Sequence, residues 1–544
     1  MANQIKSRYK KLSKLFKIST GAIHDFGFMF FVRAAYLELR KNKLSTFSPE
    51  PESIDIPTVS ESVSYQQWLK ERSISQESKS WMKNELQTFS YKPRIGIIIS
   101  VNNSNKQYLG NTLNSIADQG YDNFEIRLSC PMPLLREIHE HMEHAIESRI
   151  NWDAQESISS ENALFTNMDF VAFVDSGNVV TEDALFSIVK FLNENPDADI
   201  IYSDEDRVDQ LNNRTDPFFK PDWSPELFLS MDYISNFYVV RSKLLDKTIF
   251  NDQYGEAKHY DLLLRLTEKT KNIFHIPAVF ISVRQQNDKK LTISFMEHAL
   301  KAVTDALNRR GIRANVTKSS STIRVEYLLD REPKVSIIIP TRDNKFLLAR
   351  CLKSIKEKTS YRNYEIVIVD NNSTKEETLS YLKSLPYTIV KYDAPFNFSK
   401  ISNVAVSSAS GEHILFLSDD VAALEPNWLK EMVSTCQQDG IGIVGPKLIF
   451  SNKTIQHAGV VFLKTGAGFH PLQGVDANSS IYFGFLNVVR NCSAVTGACL
   501  LIKKKIFDEV GGFDDKFDLY YNDADLCMKV ISHGYRVVYT PYAM

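Results

Sequence analysis

The feature that most constrains the fold is an internal repeat, in which a pattern of short apolar runs that starts at Pro93 returns at Pro333. PRIGIIIS matches PKVSIIIP, and NFEIRLSC at Asn123–Cys130 matches NYEIVIVD at Asn363–Asp370. Further along, FVDSGN matches FLSDDV and HYDLLLRL matches DADLCMKV, in the same order. The sequence therefore predicts two copies of one α/β unit in tandem.

Three apolar runs of the second copy are short and rich in Val and Ile: Val335–Ile339, Ile366–Val369 and Ile414–Leu417. Such runs, separated by helix-like segments, predict buried parallel strands joined by helices. Ligands of such open sheets bind at the carboxyl ends of the strands. Polar or acidic residues stand at those ends, namely Thr341, Asp343, Asp370, Asp419 and Asp420. This acidic rim predicts a site for a nucleotide together with a divalent cation.

The two copies differ where chemistry is expected. Three carboxylates of the second copy have no acidic counterpart in the first: Asp370 aligns with Cys130, Asp420 with Gly177 and Asp523 with His259. Glycine and cysteine offer no hard oxygen ligand for a divalent cation. We therefore expect the second copy to carry the chemistry and the first to be impaired or differently used.

The first copy keeps an acidic cluster of its own, made of Asp204, Glu205 and Asp206 after an apolar strand. The cluster could bind a cation or a sugar, and the alternative is an acidic loop that caps the next helix. Asp175 is also retained, although its neighbour Gly177 offers no oxygen ligand from a side chain. For the acidic cluster, both the binding site and the helix-capping loop stay open.

Composition and segment boundaries frame these units. Residues 1–47 form a basic amphipathic segment that could lie on an anionic membrane surface or pack on the next domain. Residues 48–92 are a linker and a helix, and the two repeats cover 93–325 and 333–544. A net charge of -2 gives no general attraction to nucleic acid, so no nucleic-acid partner is expected.

Cellular location is predicted from cysteine usage and hydropathy. The six cysteines include no CxxC pair, which favours free thiols in a reducing compartment. No apolar run is long enough to span a membrane. We expect a cytoplasmic protein that is soluble or peripheral at the inner face of the plasma membrane.

Six motifs closely resemble family 2 glycosyltransferases: PKVSIIIPTRDN, EIVIVDNNS, FNFSKISNVAVSSASGEHILFLSDD, VTGACLLI, GGFDDKF and YYNDADLC. The first copy, with YSDEDRVD and FKPDWSPELFLSMDY, looks like the N-terminal half of two-domain bacterial members that assemble O-antigen, capsule or related surface polysaccharides. The resemblance implies an α/β fold of two tandem GT-A domains, Rossmann-like with mostly parallel sheets, behind a helical N-terminal extension. It also implies inverting, metal-dependent transfer of a hexosyl or deoxyhexosyl group. The donor would be UDP-, dTDP- or GDP-linked, and the acceptor a growing, lipid-linked glycan.

The resemblance also assigns roles to single residues. Thr341 and Asp370 would hold the ribose and base of the nucleotide, and Asp420 would bind Mg²⁺ or Mn²⁺ across the diphosphate. Asp523 matches the family's catalytic base. Further residues at the predicted site are Asp343, Asn403 and Asp419 on the donor side, with Gly497 and Asp525 near the acceptor.

Each assignment has a structural alternative. Asp370 could be a turn residue at a strand end, Asp523 could be a helix N-cap, and His457 and His470 are more simply explained as structural histidines. The chain ends at Met544, whereas family members usually continue into a segment with a histidine and basic residues that closes the donor site. The alternative function is therefore a non-catalytic scaffold that binds a nucleotide sugar or a glycan acceptor.

Overall fold

The computed structural model describes residues 65–141, 150, 167–209, 211, 213–245, 250–284, 292–462 and 466–544. The predicted basic segment and most of the linker lie outside the described residues. Contacts divide the described chain into two compact units. Residues 65–223 and 232–312 form the N-terminal unit, and residues 224–231 and 313–544 form the C-terminal unit.

The N-terminal unit contains one eight-stranded sheet with helices. Its strands are β1 (Ile95–Ser100), β2 (Phe124–Ser129), β3 (Phe170–Asp175), β4 (Val179–Val180), β5 (Ile200–Val208), β6 (Arg214–Phe218), β7 (Phe237–Arg241) and β8 (Ile273–Arg284). Its α-helices are α1 (Tyr65–Glu71), α2 (Gln76–Thr88), α3 (Leu109–Ala117), α4 (Met132–His141), α5 (Ala184–Glu194), α7 (Lys258–Lys269) and α8 (Ile293–Arg309). The strand order is β2-β1-β3-β7-β5-β8-β4, and β6 pairs with β5.

The C-terminal unit contains a second eight-stranded sheet, ordered β13-β12-β11-β14-β21-β15-β22-β20. These strands are β11 (Val335–Thr341), β12 (Tyr364–Asp370), β13 (Thr388–Lys391), β14 (His413–Leu417), β15 (Ile441–Pro446), β20 (Arg490–Asn491), β21 (Cys499–Lys503) and β22 (Arg536–Thr540). Three hairpins complete its strands: β9 (Ala314–Ser319) with β10 (Thr322–Tyr327), β16 (Leu448–Ile449) with β17 (Ile455–His457), and β18 (Val461–Phe462) with β19 (Gly468–Phe469).

Helices of the C-terminal unit precede or join these strands. They are α6 (Pro225–Ser230), α9 (Lys345–Lys358), α10 (Glu376–Ser384), α11 (Phe398–Ser407), α12 (Trp428–Cys436), α13 (Lys504–Glu509) and α14 (Asn522–Ser532). Although α6 comes from the first half of the sequence, its contacts group it with this unit. The buried carboxylate of Glu226 on α6 forms an ion pair with Arg536 of β22, 2.7 Å from Oε1 to Nη2.

The second sheet is buried on both faces, which explains its unbroken apolar runs. Successive strand residues point to opposite faces. Ile337 therefore packs with Leu348 of α9 on one face, while Ile338 packs with Ile401 of α11 on the other. The α/β class and the three predicted parallel strands of the second copy are confirmed.

Both sheets repeat one sequence of strand directions. In the N-terminal unit β2, β1 and β3 are parallel, β7 is antiparallel to β3 and β5, and β8 is parallel to β5. In the C-terminal unit β12, β11 and β14 are parallel, β21 is antiparallel to β14 and β15, and β22 is parallel to β15. The sheets are mixed, because one antiparallel strand enters the middle of each.

The cysteines and the hydropathy of the helices bear on two further predictions. All six cysteines are free thiols, as predicted, and burial raises the pKa of Cys436 to about 12. Within the described ranges, no helix combines the length and the apolar character needed to cross a bilayer.

Candidate active site

Two neighbouring strands and the loop after a third bring three predicted residues together. Thr341 and Asp370 are register partners at the carboxyl ends of β11 and β12, and both are buried. The Thr341 hydroxyl donates a 2.7 Å hydrogen bond to Oδ2 of Asp419, just after β14. Three of the five predicted rim residues, Thr341, Asp370 and Asp419, therefore lie together at the carboxyl ends of the strands.

Asp419 and Asp420 occupy different environments. Burial raises the pKa of Asp419, and the charge of Asp420 adds to this, while the hydrogen bond from Thr341 opposes it. Asp420 is exposed, and its carboxylate has no hydrogen-bond or ion-pair partner in the described part of the chain. Only its backbone carbonyl is bound, by Nη2 of Arg350 at 2.9 Å. One carboxylate is therefore held in place and the other is free to bind a ligand.

The donor set suits a cation that shares its ligands with a substrate. No group of three or more His, Cys, Asp or Glu side chains within the described ranges could hold a metal. Mg²⁺ is commonly held by one or two carboxylates, with substrate phosphates and water completing its shell. Asp420, with Asp419 beside it, fits that pattern.

Asp523 reaches the same edge of the sheet because β21 runs antiparallel to β14. Leu417 pairs with Cys499, so the loop before β21 lies at the carboxyl end of β14. In that loop the carbonyl of Ala498 accepts from the N–H of Ser418 at 2.9 Å, and the N–H of Gly497 donates to Oδ2 of Asp523 at 2.7 Å. Backbone contacts therefore connect the acidic loop to the predicted base.

Gly497 lies beside the predicted base. A Cβ atom at this position would lie 3.4 Å from Cβ of Asp523 and 3.7 Å from Cε1 of Phe398. Both distances are ordinary van der Waals contacts, so Gly497 packs directly against Asp523 and Phe398.

Asp525 has a different role from Asp523, although only one residue separates them. Its carboxylate is buried and pairs with Lys529 one turn along α14, at 2.9 Å. Lys529 also donates to the carbonyl of Gly512 at 3.0 Å. Asp525 therefore stabilises the helix and the neighbouring loop, while Asp523 binds Gly497.

Three predicted donor-site residues also hold loops. Oδ1 of Asp343 accepts from the backbone N–H of Lys375 at 2.7 Å and of Thr374 at 2.8 Å, and these bonds lower its pKa. Oδ1 of Asp370 accepts from the N–H of Ser373 at 3.1 Å, so the turn interpretation of Asp370 also holds. These contacts fix the loop that follows β12.

Asn403 binds a second loop at the site. Its side-chain oxygen accepts from the N–H of Phe513 at 3.0 Å, and its amide nitrogen donates to the Phe513 carbonyl at 3.0 Å. Asn403 therefore positions the segment between α13 and α14. Its predicted contact with the donor stays a prediction.

The acidic cluster of the N-terminal unit is an ion-pair network. Oδ1 of Asp204 lies 2.9 Å from Nε2 of His275, Oε2 of Glu205 lies 2.8 Å from Nζ of Lys220, and Oδ2 of Asp206 lies 2.6 Å from Nε of Arg214. The three residues belong to strand β5, so the alternative of a helix-capping loop is wrong. β5 extends past the apolar run because β6 and β8 both pair with it. Asp175 ends β3, where the N–H of Asn178 donates to its carbonyl.

Sequence reasoning did not single out Arg350. The packing of α9 brings its guanidinium to the acidic loop, and Arg350 lies outside the six sequence motifs. Phe398 belongs to the motif that begins FNFSKISN, but the motif did not indicate that this ring lies beside Gly497. Both depend on contacts between elements distant in sequence.

Part of the chain matches a known family, and longer stretches match known proteins. Residues 336–511 match the family described as Glycosyl transferase family 2. The O-antigen biosynthesis protein RfbC of Myxococcus xanthus is 33% identical over 470 residues, which cover 83% of this chain and 37% of that protein. The uncharacterized protein y4gI of Sinorhizobium fredii is 32% identical over 480 residues, covering 83% of this chain and 52% of that protein. The chain thus spans about a third to a half of the length of these relatives.

One solved structure that the comparison matches is the mannosyltransferase PcManGT from Pyrobaculum calidifontis in complex with GDP-Man and Mn²⁺. It is 18% identical, with a TM-score of 0.30, over 39% of this chain and 56% of that one.

Proposed function

We propose that the chain is a family 2 glycosyltransferase that transfers a sugar from a nucleotide diphosphate sugar to a growing surface polysaccharide, with inversion at the anomeric carbon. One observation carries the proposal. The buried pair of Thr341 and Asp370, the acidic loop and Asp523 all lie at one edge of the sheet, joined by hydrogen bonds. A polysaccharide acceptor is supported by the likeness to the O-antigen biosynthesis protein.

The donor side would bind the nucleotide. Asp370, buried at the end of β12, would accept a hydrogen bond from the base, and Thr341 would contact the ribose. Asp420 would hold Mg²⁺ or Mn²⁺, with Asp419 fixed beside it by Thr341. A bound cation would supply charge stabilisation to the departing diphosphate without proton transfer.

Asp523 would act as the general base. Inversion requires attack from the side opposite the leaving group, so the base must bind the attacking hydroxyl away from the diphosphate. The N–H of Gly497 holds one carboxylate oxygen of Asp523, which fixes the orientation of the group. The absence of a side chain at Gly497 would let the acceptor sugar approach the backbone beside Asp523.

The N-terminal unit would be a second GT-A domain whose own site has changed. Its sheet repeats the strand directions of the C-terminal sheet, but Cys130, Gly177 and His259 replace the three carboxylates. The lipid-linked acceptor and the membrane contact of the basic N-terminal segment remain predictions from the sequence.

The test is a thermal-shift panel with UDP, dTDP and GDP, each with and without Mn²⁺. A ligand that binds only the folded state raises the melting temperature. At a ligand concentration one hundred times Kd, the free energy of unfolding increases by about 2.7 kcal/mol. We expect one nucleotide to stabilise the chain only when Mn²⁺ is present. Asp420→Ala should abolish that shift, because it removes the free carboxylate.

Asp439→Ala is the matched control, because Asp439 is also an exposed aspartate of the C-terminal unit. It should keep the full shift. A shift that survives Asp420→Ala would contradict the proposed cation site. Nucleotide binding without transfer from any of the corresponding sugar donors would favour the non-catalytic scaffold.

A further inference from the structure

A second cluster of titratable groups in the C-terminal unit is the pair of His457 and His470. Their Nδ1 atoms are 2.9 Å apart, and their rings meet edge to face with centroids 5.0 Å apart. His457 is fully buried at the end of β17, and His470 is half-buried just after β19. A hydrogen bond between two ring nitrogens needs one donor and one acceptor, so the two rings must differ in tautomer.

Strand pairing brings His470 close to the proposed base. The β18–β19 hairpin pairs Val461 with Phe469, so Val460 and His470 both lie at the same end of the hairpin, and Val460 forms a bridge with Ala494. The loop after Ala494 contains Gly497, whose N–H binds Asp523. Burial lowers the pKa of His470, and the charge of Asp523 acts in the opposite direction, as expected for a nearby carboxylate.

Hydrogen bonds assign the tautomer of His457. The backbone N–H of Gly459 points at Nε2 of this ring, 3.3 Å away, so Nε2 is the acceptor and carries no proton. Burial, His470 and Arg490 together lower the pKa of His457 well below its usual value, so the ring is neutral. The single ring proton of His457 therefore sits on Nδ1 and is donated to His470.

The tautomer of His470 follows. Its Nδ1 accepts from His457, and burial keeps the ring neutral, so its own proton must sit on Nε2. This Nε2–H has no hydrogen-bond partner among the residues that the structure describes. The pair thus presents one oriented, uncharged N–H donor in the region of Asp523.

We propose that His470 is a positioning residue for the acceptor, donating its Nε2–H to a hydroxyl oxygen of the acceptor sugar, and that His457 fixes the tautomer which makes this possible. The inference rests on the proposed function, since it requires an acceptor sugar at the site. A neutral N–H orients the sugar without competing with Asp523 for the proton of the attacking hydroxyl. It would also select acceptors that carry a hydroxyl at the contacted position, because a sugar without it leaves the donor unpaired.

Two amide substitutions of His470 distinguish a role of its Nε2 atom from a role of its Nδ1 atom. A glutamine amide nitrogen reaches the place of the imidazole Nε2, while an asparagine amide reaches only the place of Nδ1. We expect His470→Asn to raise the acceptor KM about tenfold or more, the size of one lost hydrogen bond to a ligand. His470→Gln should restore the KM to within about threefold of the unmodified chain, a difference below one such bond.

The assay uses the full chain with monosaccharides linked to phenoxyundecyl diphosphate as acceptor probes. The nucleotide-dependent thermal shift of both variants should equal that of the unmodified chain, which a general loss of folding would not leave intact. Equal acceptor KM values for His470→Asn, His470→Gln and the unmodified chain would overturn the inference while leaving the proposed function standing. Absence of transfer by the unmodified chain would instead overturn the proposed function, and the inference with it.

Nitrogen NMR of ¹⁵N-histidine-labelled full chain gives a readout independent of turnover. A proton on Nε2 of His470 and on Nδ1 of His457 supports the assignment. A proton on Nδ1 of His470 would overturn the inference even in an active enzyme.

Discussion

The two units share a scaffold but differ in the groups at the carboxyl ends of their strands. In the C-terminal unit Asp370 and Asp523 meet the acidic loop, whereas the matching positions of the N-terminal unit hold Cys130 and His259. Burial raises the pKa of Cys130 to about 11, so it is a neutral thiol. The strand scaffold is therefore present in both units, although the three carboxylates are found only in the C-terminal one.

His259 shows what replaced the base. Its Nδ1 lies 2.8 Å from the hydroxyl of Tyr238, and its ring packs edge-on against Phe173 and Phe250. An imidazole in this aromatic setting serves packing rather than proton abstraction. One helix start thus presents a carboxylate in one unit and a half-buried imidazole packed among aromatic rings in the other.

Contacts common to both units identify structural groups. Tyr121 donates to the carbonyl of Pro93, and Tyr361 likewise donates to that of Pro333. Asp261 pairs with Arg265 in α7 as Asp525 pairs with Lys529 in α14, each at 2.9 Å. These contacts are kept in the unit that lacks the three carboxylates, which favours a structural role for them.

The largest difference expected between the two units is the effect of replacing the proposed base, Asp523, on the transfer rate. Asp523→Asn should lower the transfer rate roughly 10²- to 10⁴-fold, the usual contribution of a general base. It should leave the nucleotide thermal shift in place, because the amide still accepts from Gly497. Initial-rate kinetics with the donor found in the thermal-shift panel would measure it.

The matched control is His259→Gln in the N-terminal unit. We expect an unchanged transfer rate and a lower melting temperature, because the aromatic contacts of the imidazole are lost. A loss of transfer similar to that of Asp523→Asn would mean that the N-terminal unit takes part in the chemistry.

The next largest effect is a pH dependence of the N-terminal unit. Burial lowers the pKa of His275, but Asp204 and Asp222 outweigh this and raise it from 6.5 to about 9. Because the folded-state pKa is raised, its stabilisation is complete below about pH 6.5 and is lost as the pH rises through about 9. The whole change corresponds to about 3 kcal/mol.

Calorimetry between pH 6 and pH 9.5 would measure that dependence. In the C-terminal sheet Tyr539 takes the position that His275 has in the N-terminal sheet. We therefore expect the unfolding of the C-terminal unit to depend less on pH over this range. His275→Gln should reduce the pH dependence of the melting temperature of the N-terminal unit. A response that survives this change would assign it to another group.

The smallest effect separates Asp525 from Asp523. Asp525→Asn and Asp261→Asn should each lower the free energy of unfolding by about 1–2 kcal/mol, since each leaves a partly exposed cation without its partner. Asp525→Asn should keep the transfer rate within about threefold of the unmodified chain, which is below 1 kcal/mol. Denaturant unfolding and the same kinetic assay would measure both. If Asp525→Asn lost as much activity as Asp523→Asn, a catalytic role for Asp525 would replace the structural one.

Much of the C-terminal fold could be predicted because its signals are local. Runs such as Ile366–Val369 are apolar throughout, which happens when both faces of a strand are buried. The acidic residues after β12 and β14 follow directly from those strand ends. The antiparallel entry of β21 could not be read from its sequence, since a five-residue apolar strand fits either direction equally well.

The sequence by itself determined the repeat, the α/β class, the three parallel strands and the loss of three carboxylates from the first copy. Tertiary structure alone decided which polar groups meet. It placed Asp523 against Gly497, Asp525 against Lys529, and the acidic residues of β5 against His275, Lys220 and Arg214. The physical reason is that burial patterns depend on neighbours along the chain, whereas hydrogen bonds and ion pairs depend on atoms brought within about 3 Å by strand order and register.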